Sequence, residues 1–297
     1  MLFIQIILPV FLIILSGFVL EKLARLDFRT LTYCSLYLFS PCLVFATLMK
    51  RPVHFELALD LFVFMLLYTA LLLAVAAAVG RLLKMEKDAQ GALSLTTVMM
   101  NVGNFGLPLA YFAFGQEGLD VSVLTFIIFN IPLSTLAIII AQGSRVPLRQ
   151  ALANTCKIPI FHAVILAFLL KGTGIVVPAF LLNPIDLLGQ AAVPLMLVLL
   201  GMQLARTRLQ ILPGFLSLAT GIRLILAPLV AWGLTSLLDL QGLTRNIVLL
   251  QTSTPSAVLP LLYSLRFGTR PDLVAGAIFV TTLLSAVSLT LILYLLQ

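Results

Sequence analysis

Two stretches hold the residues able to do chemistry. Asn101-Val102-Gly103-Asn104-Phe105-Gly106-Leu107-Pro108 and Gln251-Thr252-Ser253-Thr254-Pro255-Ser256, the latter running on to Pro260, interrupt otherwise apolar segments about half the chain apart. Each ends in Leu-Pro-Leu-x-Tyr, at Tyr111 and Tyr263, and soon reaches a Phe-Gly pair, at Gly115 and Gly268. Such interruptions free backbone groups that lipid cannot satisfy, so they are tolerated only inside protein or beside a water-filled cavity. Paired interruptions in corresponding positions of two halves point to a transporter's binding site.

The chemistry on offer is anion binding. Asn101 lies roughly 18 Å along a helix begun at Ala89, near the middle of a ~30 Å hydrocarbon core. Pro255 lies at similar depth counted from Gly242. A half-helix restarts after each break, with Pro108 and Pro260 near its first turn, where a missing N–H is tolerated. Two helix N-termini converging there offer free donors and partial positive charge, a setting for a carboxylate. Asn101 and Asn104 contribute amides from one arm, and Gln251, Thr252, Ser253 and Thr254 contribute polar groups from the other, ahead of Pro255. Gly103 and Gly106 allow close approach of backbone or ligand. Arg223, near mid-depth of its own segment with no acidic neighbour in sequence, fits either of two roles. It could hold a carboxylate bidentately, or bond the free carbonyls of a broken helix. Asn130, just before Pro132, and Gln251 are expected behind the groups that touch substrate.

Missing groups narrow the field. The 11 acidic residues fall in loops or within a turn or two of a span end. A cation/proton antiporter with crossed helices needs mid-membrane carboxylates, so that reading is set aside, although neutral oxygens could still hold sodium. Membrane-embedded aspartate pairs, Ser–His pairing, phosphate loops and metal-ligand spacings are not found, so neither an enzyme nor a cofactor is expected. His162 reads as a packing residue or a proton carrier. The cysteines read as apolar packing. Cys34 and Cys42 stand about two turns apart, roughly 12 Å, too far to bridge, and Cys156 falls in a basic loop expected in the cytoplasm.

What must position these groups is a membrane-embedded helical array. The chain is 61% hydrophobic and only 10% charged, against about a quarter charged in soluble domains. Its first apolar run, residues 2–20, has no basic leader or cleavage site and is expected to be retained. Ten spans are expected, at about 2–20, 31–49, 58–80, 89–115, 119–141, 156–176, 184–205, 213–238, 242–267 and 272–296. The fourth and ninth are long for one crossing, as two half-helices around a non-helical knot would be. Basic clusters at Lys22 to Arg29, Arg81 to Lys87, Arg145 to Lys157, Arg206 to Arg208 and Arg266 to Arg270 all fall on one side. That side is the cytoplasm, which leaves both termini extracytoplasmic and explains the net charge of +7 without nucleic acid.

Five spans per half force the second half to enter the membrane inverted. Residues 1–150 and 151–297 are then repeats related by a pseudo-two-fold axis in the membrane plane. Pro41 and Pro194, each in the second span of its half, echo the relation. The joining stretch 142–157 has no room for a cytoplasmic domain. The expected fold is therefore an all-α polytopic membrane protein of ten helices, with broken helices 4 and 9 crossing.

Four stretches carry a resemblance to a known family: Asn101–Pro108 (NVGNFGLP), Gly189–Gln203 (GQAAVPLMLVLLGMQ), Pro255–Gly268 (PSAVLPLLYSLRFG), and Thr281-Thr282-Leu283-Leu284-Ser285 in the last span. In this order and over the whole chain, the sequence resembles the auxin efflux carrier family. These are bacterial relatives of the plant PIN transporters, within the bile/arsenite/riboflavin transporter group. The resemblance implies a scaffold domain from spans 1, 2, 6 and 7 and a mobile transport domain from spans 3–5 and 8–10. It also implies a homodimer, joined through the scaffold in the bacterial inner membrane, that moves organic anions by an elevator-like motion. Bacterial members are associated with small carboxylates such as malonate and malate. The long hydrophilic loop of the plant carriers is missing here, which argues against auxin itself. The expected function is secondary or facilitative transport of a small organic anion, a carboxylate such as malonate or malate or an auxin-like acid, with H⁺ or Na⁺ as candidate coupling ions. A sodium-coupled symporter of the bile-acid type, and a channel or non-transporting sensor, remain the alternatives.

Overall fold

The computed structural model describes residues 1–51, 55–142, 158–207 and 212–296. Among the described residues every regular element is a helix. In chain order they are α1 (Phe3–Ala24), α2 (Phe28–Lys50), α3 (Phe55–Leu82) and α4 (Lys87–Val98). A π-helical turn, Val102–Gly106, leads into the helix Leu107–Gln142, which breaks at Gly115 (φ 66°, ψ −156°) into α5 (102–114) and α6 (116–142). Then come α7 (Pro159–Gly172), α8 (Ala179–Arg206), α9 (Pro213–Leu237), α10 (Gly242–Thr252), α11 (Leu259–Phe267) and α12 (Pro271–Leu295). The expected joining stretch and Cys156 lie outside the described residues.

Among the described residues, seven helical stretches are long and apolar enough to cross a bilayer: α1, α2, α3, Val102–Asn130, α8, α9 and α12. The others are shorter. The expected sixth span, 156–176, is represented by only the 14 residues of α7. The fourth and ninth expected spans are indeed interrupted, as α4 then α5, and α10 then α11.

Proline explains a recurring irregularity. π-helical turns at Phe3–Ile7, Ser35–Phe39, Val102–Gly106 and Ile222–Leu226 each end two residues before a proline: Pro9, Pro41, Pro108 and Pro228. A proline ring clashes with the carbonyl four residues back and supplies no N–H. Widening the preceding turn by one residue relieves both problems within a continuous helix. Two of these turns carry site residues, Asn104 in one and Arg223 in another. The Phe-Gly echoes are helix ends of another kind: Gly115 and Gly268 (φ 77°) both take positive φ, which costs glycine little.

Small residues lock α8 against its neighbours. A Cβ on Gly189 would come within 2.7 Å of Leu43 Cα in α2, and Cβ atoms on Gly17 and Gly201 would overlap the backbones of α8 and α1 respectively. Where lipid removes the hydrophobic drive between helices, such close backbone approach supplies the packing energy. The helix α7 packs on α2, so α1, α2, α7 and α8 form one group of neighbours. α3 packs on α4 and α9, while α12 packs on α4 and α9 as well, around the interrupted segments. At its start α2 is capped by Asp27, whose carboxylate accepts from Arg29 N (3.1 Å) and Thr30 Oγ1 (2.5 Å). The Thr30 hydroxyl, more than any other group, holds Asp27 below its ordinary carboxylate range. Cys34 and Cys42 are free thiols, half-buried.

Candidate functional site

The two interruptions meet. Met100 and Ser256 form an antiparallel bridge, in which Asn101 N–H donates to the Pro255 carbonyl (2.9 Å) and Ala257 N–H donates to the Met99 carbonyl (2.8 Å). Backbone groups freed by the breaks are thereby satisfied by each other, as membrane depth requires. Ser256 extends the junction sideways. Its hydroxyl donates to the Thr96 carbonyl (2.6 Å), and its N–H donates to Thr281 Oγ1 of α12 (3.2 Å).

Arg223 serves the other ends of the broken helices. Its guanidinium is wholly buried (0% exposed) and donates to the carbonyls of Thr97 (2.8 Å), Thr254 (3.1 Å) and Thr252 and to Tyr68 Oη (3.0 Å). Tyr68 in turn donates to the Thr252 carbonyl (3.1 Å). Thr97 and Thr252 stand at the C-terminal ends of α4 and α10, where orphan carbonyls and the negative end of each helix dipole accumulate. One cation answers both ends. Of the two roles open to Arg223, the geometry supports the structural one, and the residue does not line the cavity described next.

That cavity, of about 320 Å³, lies between the crossover and the wall made by α2 and α8. Both restarted helices open on it through their first turns: Val102, Gly103 and Asn104 on one arm, and Val258, Leu259 and Pro260 on the other. Asn101 lines it, is 5% exposed, and has an Nδ2 without any hydrogen-bond partner. Asn130 lines it from α6, beside Phe126. The far wall adds Ser35 and Ser40 from α2 and Met196, Leu199 and Gln203 from α8. No charged side chain lines it among the described residues, and the two helix N-termini contribute positive potential there.

The expected site residues therefore divide. Asn101, Gly103, Asn104, Asn130 and Pro260 gather on the cavity; Pro108, Gln251, Thr252, Ser253, Thr254, Pro255 and Arg223 do not. Thr252, Ser253 and Thr254 are turned back on their own helix, their hydroxyls donating to the carbonyls of Val248 (2.7 Å), Leu249 (2.6 Å) and Gln251 (2.6 Å). Gln251 spends its amide N–H on Ser122 of α6 and presses its Oε1 against Gly106, where a Cβ would overlap it. Gly106 thus serves helix crossing. Gln203 and the α2 serines went unmarked in sequence; the available signal was a neutral polar residue on an apolar helix face. His162 is exposed, its Nδ1 3.3 Å from the Ile158 carbonyl oxygen.

Apolar helices of spanning length around an internal cavity, with two broken helices bonded to each other beside it, mark an integral membrane protein. Residues 2–293 match the membrane transport protein family, and the chain belongs to that family. It is 28% identical to an uncharacterised transporter of Methanothermobacter thermautotrophicus over 96% of this chain and 95% of that one. It is 29% identical to an uncharacterised transporter of Methanocaldococcus jannaschii over 70% of this chain and 69% of that one. A Rhizobium meliloti protein named provisionally for malonate transport is 27% identical over 98% of this chain and 95% of its own. The likeness to auxin efflux carriers seen in sequence agrees with this family. The protein is a transporter, not an enzyme.

Proposed function

We propose that the chain is a secondary transporter of a small organic anion, working by alternating access with the crossover as the binding centre. One observation carries the reading: both restarted helix N-termini and the Asn101 amide, with its unpartnered Nδ2, line a single cavity. Helix N-termini favour a carboxylate through free N–H groups and dipole, and midplane half-helices hold anionic substrates in this way. Malonate, named for the Rhizobium meliloti relative, belongs to the chemical class that such a site accepts.

The proposal includes the ten-span, inverted-repeat layout, with α4–α5 as span 4 and α10–α11 as span 9. It assigns α1, α2, α7 and α8 to a static scaffold and the remaining helices to a mobile unit, consistent with the glycine-locked contacts of α8. The substrate rides on the mobile unit as it slides along the α2–α8 wall, and a homodimer through the scaffold in the inner membrane completes the arrangement. The reading takes both termini as extracytoplasmic and the cavity, lined by Phe28, Ile160 and Gln203, as opening toward the cytoplasm.

Counterflow of a labelled carboxylate in proteoliposomes, after a thermal-shift screen of mono- and dicarboxylates with and without Na⁺, tests this reading. Ligand stabilisation follows affinity when only the native state binds. Saturable counterflow is expected; flux without counterflow would point to a channel, and uptake only with Na⁺ to a symporter.

A further inference from the structure

We infer that Arg223 stands where a free coupling cation would otherwise sit, and that vacating its place creates a sodium site. The inference deepens the reading of the crossover as the transport centre and concerns its carbonyl side, opposite the cavity.

Two broken helices present two kinds of end. The restarted N-termini line the cavity, and the carbonyl ends of α4 and α10 meet Arg223. In transporters with discontinuous helices, unwound carbonyls and half-helix C-termini are the groups that coordinate Na⁺, because hard cations take oxygen ligands. Four such oxygens are gathered here. The carbonyls of Thr97 in α4, Thr252 at the end of α10 and Thr254 just beyond it, with Tyr68 Oη from α3, all accept from one guanidinium. Each is a neutral oxygen, and the Thr97, Thr252 and Thr254 carbonyls add the negative ends of peptide dipoles. This is a cation cage assembled from three helices, and it is closed to solvent: Tyr68, Thr97, Thr252 and Thr254 are all buried at 0% exposure.

The occupant of the cage is covalently attached. Arg223 directs Nε to Thr254, Nη1 to Thr97 and Nη2 to Thr252 and Tyr68, so the guanidinium fork reaches every oxygen of the set. Sodium does not fit while that side chain is in place: it would share ligands already engaged and stand a few ångströms from a like charge in a desolvated site. The threonine hydroxyls offer no second set, since those of Thr97, Thr252 and Thr254 donate to the carbonyls of Leu93, Val248 and Gln251. Alanine at position 223 would leave the four oxygens around a polar void, with buried carbonyls stripped of their donor. A small cation relieves that deficit. In the native chain the tethered cation stays with the crossover whether or not substrate is bound, so carboxylate binding needs no sodium at this position.

The test compares the purified full chain with Arg223→Ala and Arg223→Gln, in sodium chloride against choline chloride at equal ionic strength and without substrate. Wild type should keep its Tm within about 1 °C between the two salts. Arg223→Ala should melt below wild type in choline and rise by about 3–6 °C in ~150 mM Na⁺, the shift that a Kd near ~10 mM produces. Arg223→Gln, which keeps amide donors and part of the stem but no charge, should rise less; where the alanine variant does not fold, it carries the comparison. Labelled malonate should bind wild type with Kd values within about twofold in the two salts. A sodium-driven rise in the Tm of wild type, a tenfold gain in its malonate affinity with Na⁺, or no sodium response in either variant would each overturn the inference. If wild type binds no carboxylate in either salt, the anion reading of the cavity falls, while the salt comparison of Tm values still decides the role of Arg223.

Discussion

Asn101 N–H donates to the Pro255 carbonyl at 2.9 Å, and through that bond the two interrupted helices share one backbone junction. With the return bond from Ala257 to Met99 (2.8 Å), neither arm can shift without the other. Crossover substitutions should therefore act on both arms, and changes at the carbonyl side should be felt as lost folding before lost binding.

Arg223 is the sharpest instance. Arg223→Met leaves the Thr97 and Thr254 carbonyls without their Arg223 donor and the Thr252 carbonyl with Tyr68 alone, at the buried ends of α4 and α10, and should cost about 3 kcal/mol or more. Arg223→Lys keeps the charge but cannot reach carbonyls spread over two helices. It should lower the Tm in detergent while ligand Kd in the folded fraction stays within about twofold of wild type. A Lys variant with wild-type Tm and lost ligand binding would return Arg223 to the substrate.

Gly106→Ala should impair folding because the added methyl overlaps Gln251 Oε1. Overpacking of this kind typically costs about 1–3 kcal/mol. The double variant with Gln251→Ala removes the obstacle and should recover part of the loss, giving a favourable coupling in a double-mutant cycle. Additive losses would show that the two residues do not bear on each other.

Glycines of one composition class should behave in opposite ways. Gly201→Ala drives a methyl into the Ile14 backbone, whereas Gly233→Ala meets nothing within 4 Å in the C-terminal part of α9. The first should lower Tm sharply; the second should leave it unchanged or raise it, by up to about 1 kcal/mol of helix propensity. Thermal unfolding of the two purified variants checks the contrast.

The breaks themselves were legible, because glycine, proline and amides inside apolar segments have few other uses at membrane depth. Which polar side chains face the cavity was not. Thr252, Ser253 and Thr254 looked like ligands, yet short hydroxyl side chains within or ending a helix reach their own preceding carbonyls first. Arg223 presented both roles in sequence, since its partners at Thr97 and Thr252 are remote along the chain and are carbonyls, which any residue supplies. Gln203 was hidden by its apolar neighbours. Seven helices met the length and hydropathy expected of a span, while α7, at 14 residues, fell short of the run expected over 156–176.

The Arg51–Asp120 ion pair (2.6 Å) ties the C-terminal end of α2 to the start of α6, on the side away from the cavity mouth. Asp120 also accepts from Gln116 Nε2 (2.9 Å). If α6 moves against α2, Asp120→Asn should ease the opposite opening, by about 1 kcal/mol for a pair with only Arg51 exposed, or about a fivefold change in population. An impermeant maleimide added outside, in a variant with native cysteines replaced and Leu259→Cys on the cavity wall, should then label faster. Unchanged labelling would remove the pair from gating.

The last prediction bears on charge at the centre. Asn104 lines the cavity in the first turn of α5, where the helix end supplies positive potential and no basic side chain among the described residues assists it. Asn104→Asp keeps size and one carbonyl oxygen but places an anion where the substrate carboxylate is expected. At neutral pH, carboxylate binding should fall at least about a hundredfold, since like charges this close in a partly desolvated site repel by several kcal/mol. Stability should hold or rise, because an acid at a helix N-terminus is itself favourable. That opposition separates a binding role from a packing role: a structural asparagine would lose Tm and leave Kd intact. Acidification should restore binding to the Asp variant as its carboxyl protonates, with no parallel change in wild type above the substrate's own pKa. Carboxylate affinity in Asn104→Asp equal to wild type at neutral pH would place the substrate's charge somewhere other than this helix end.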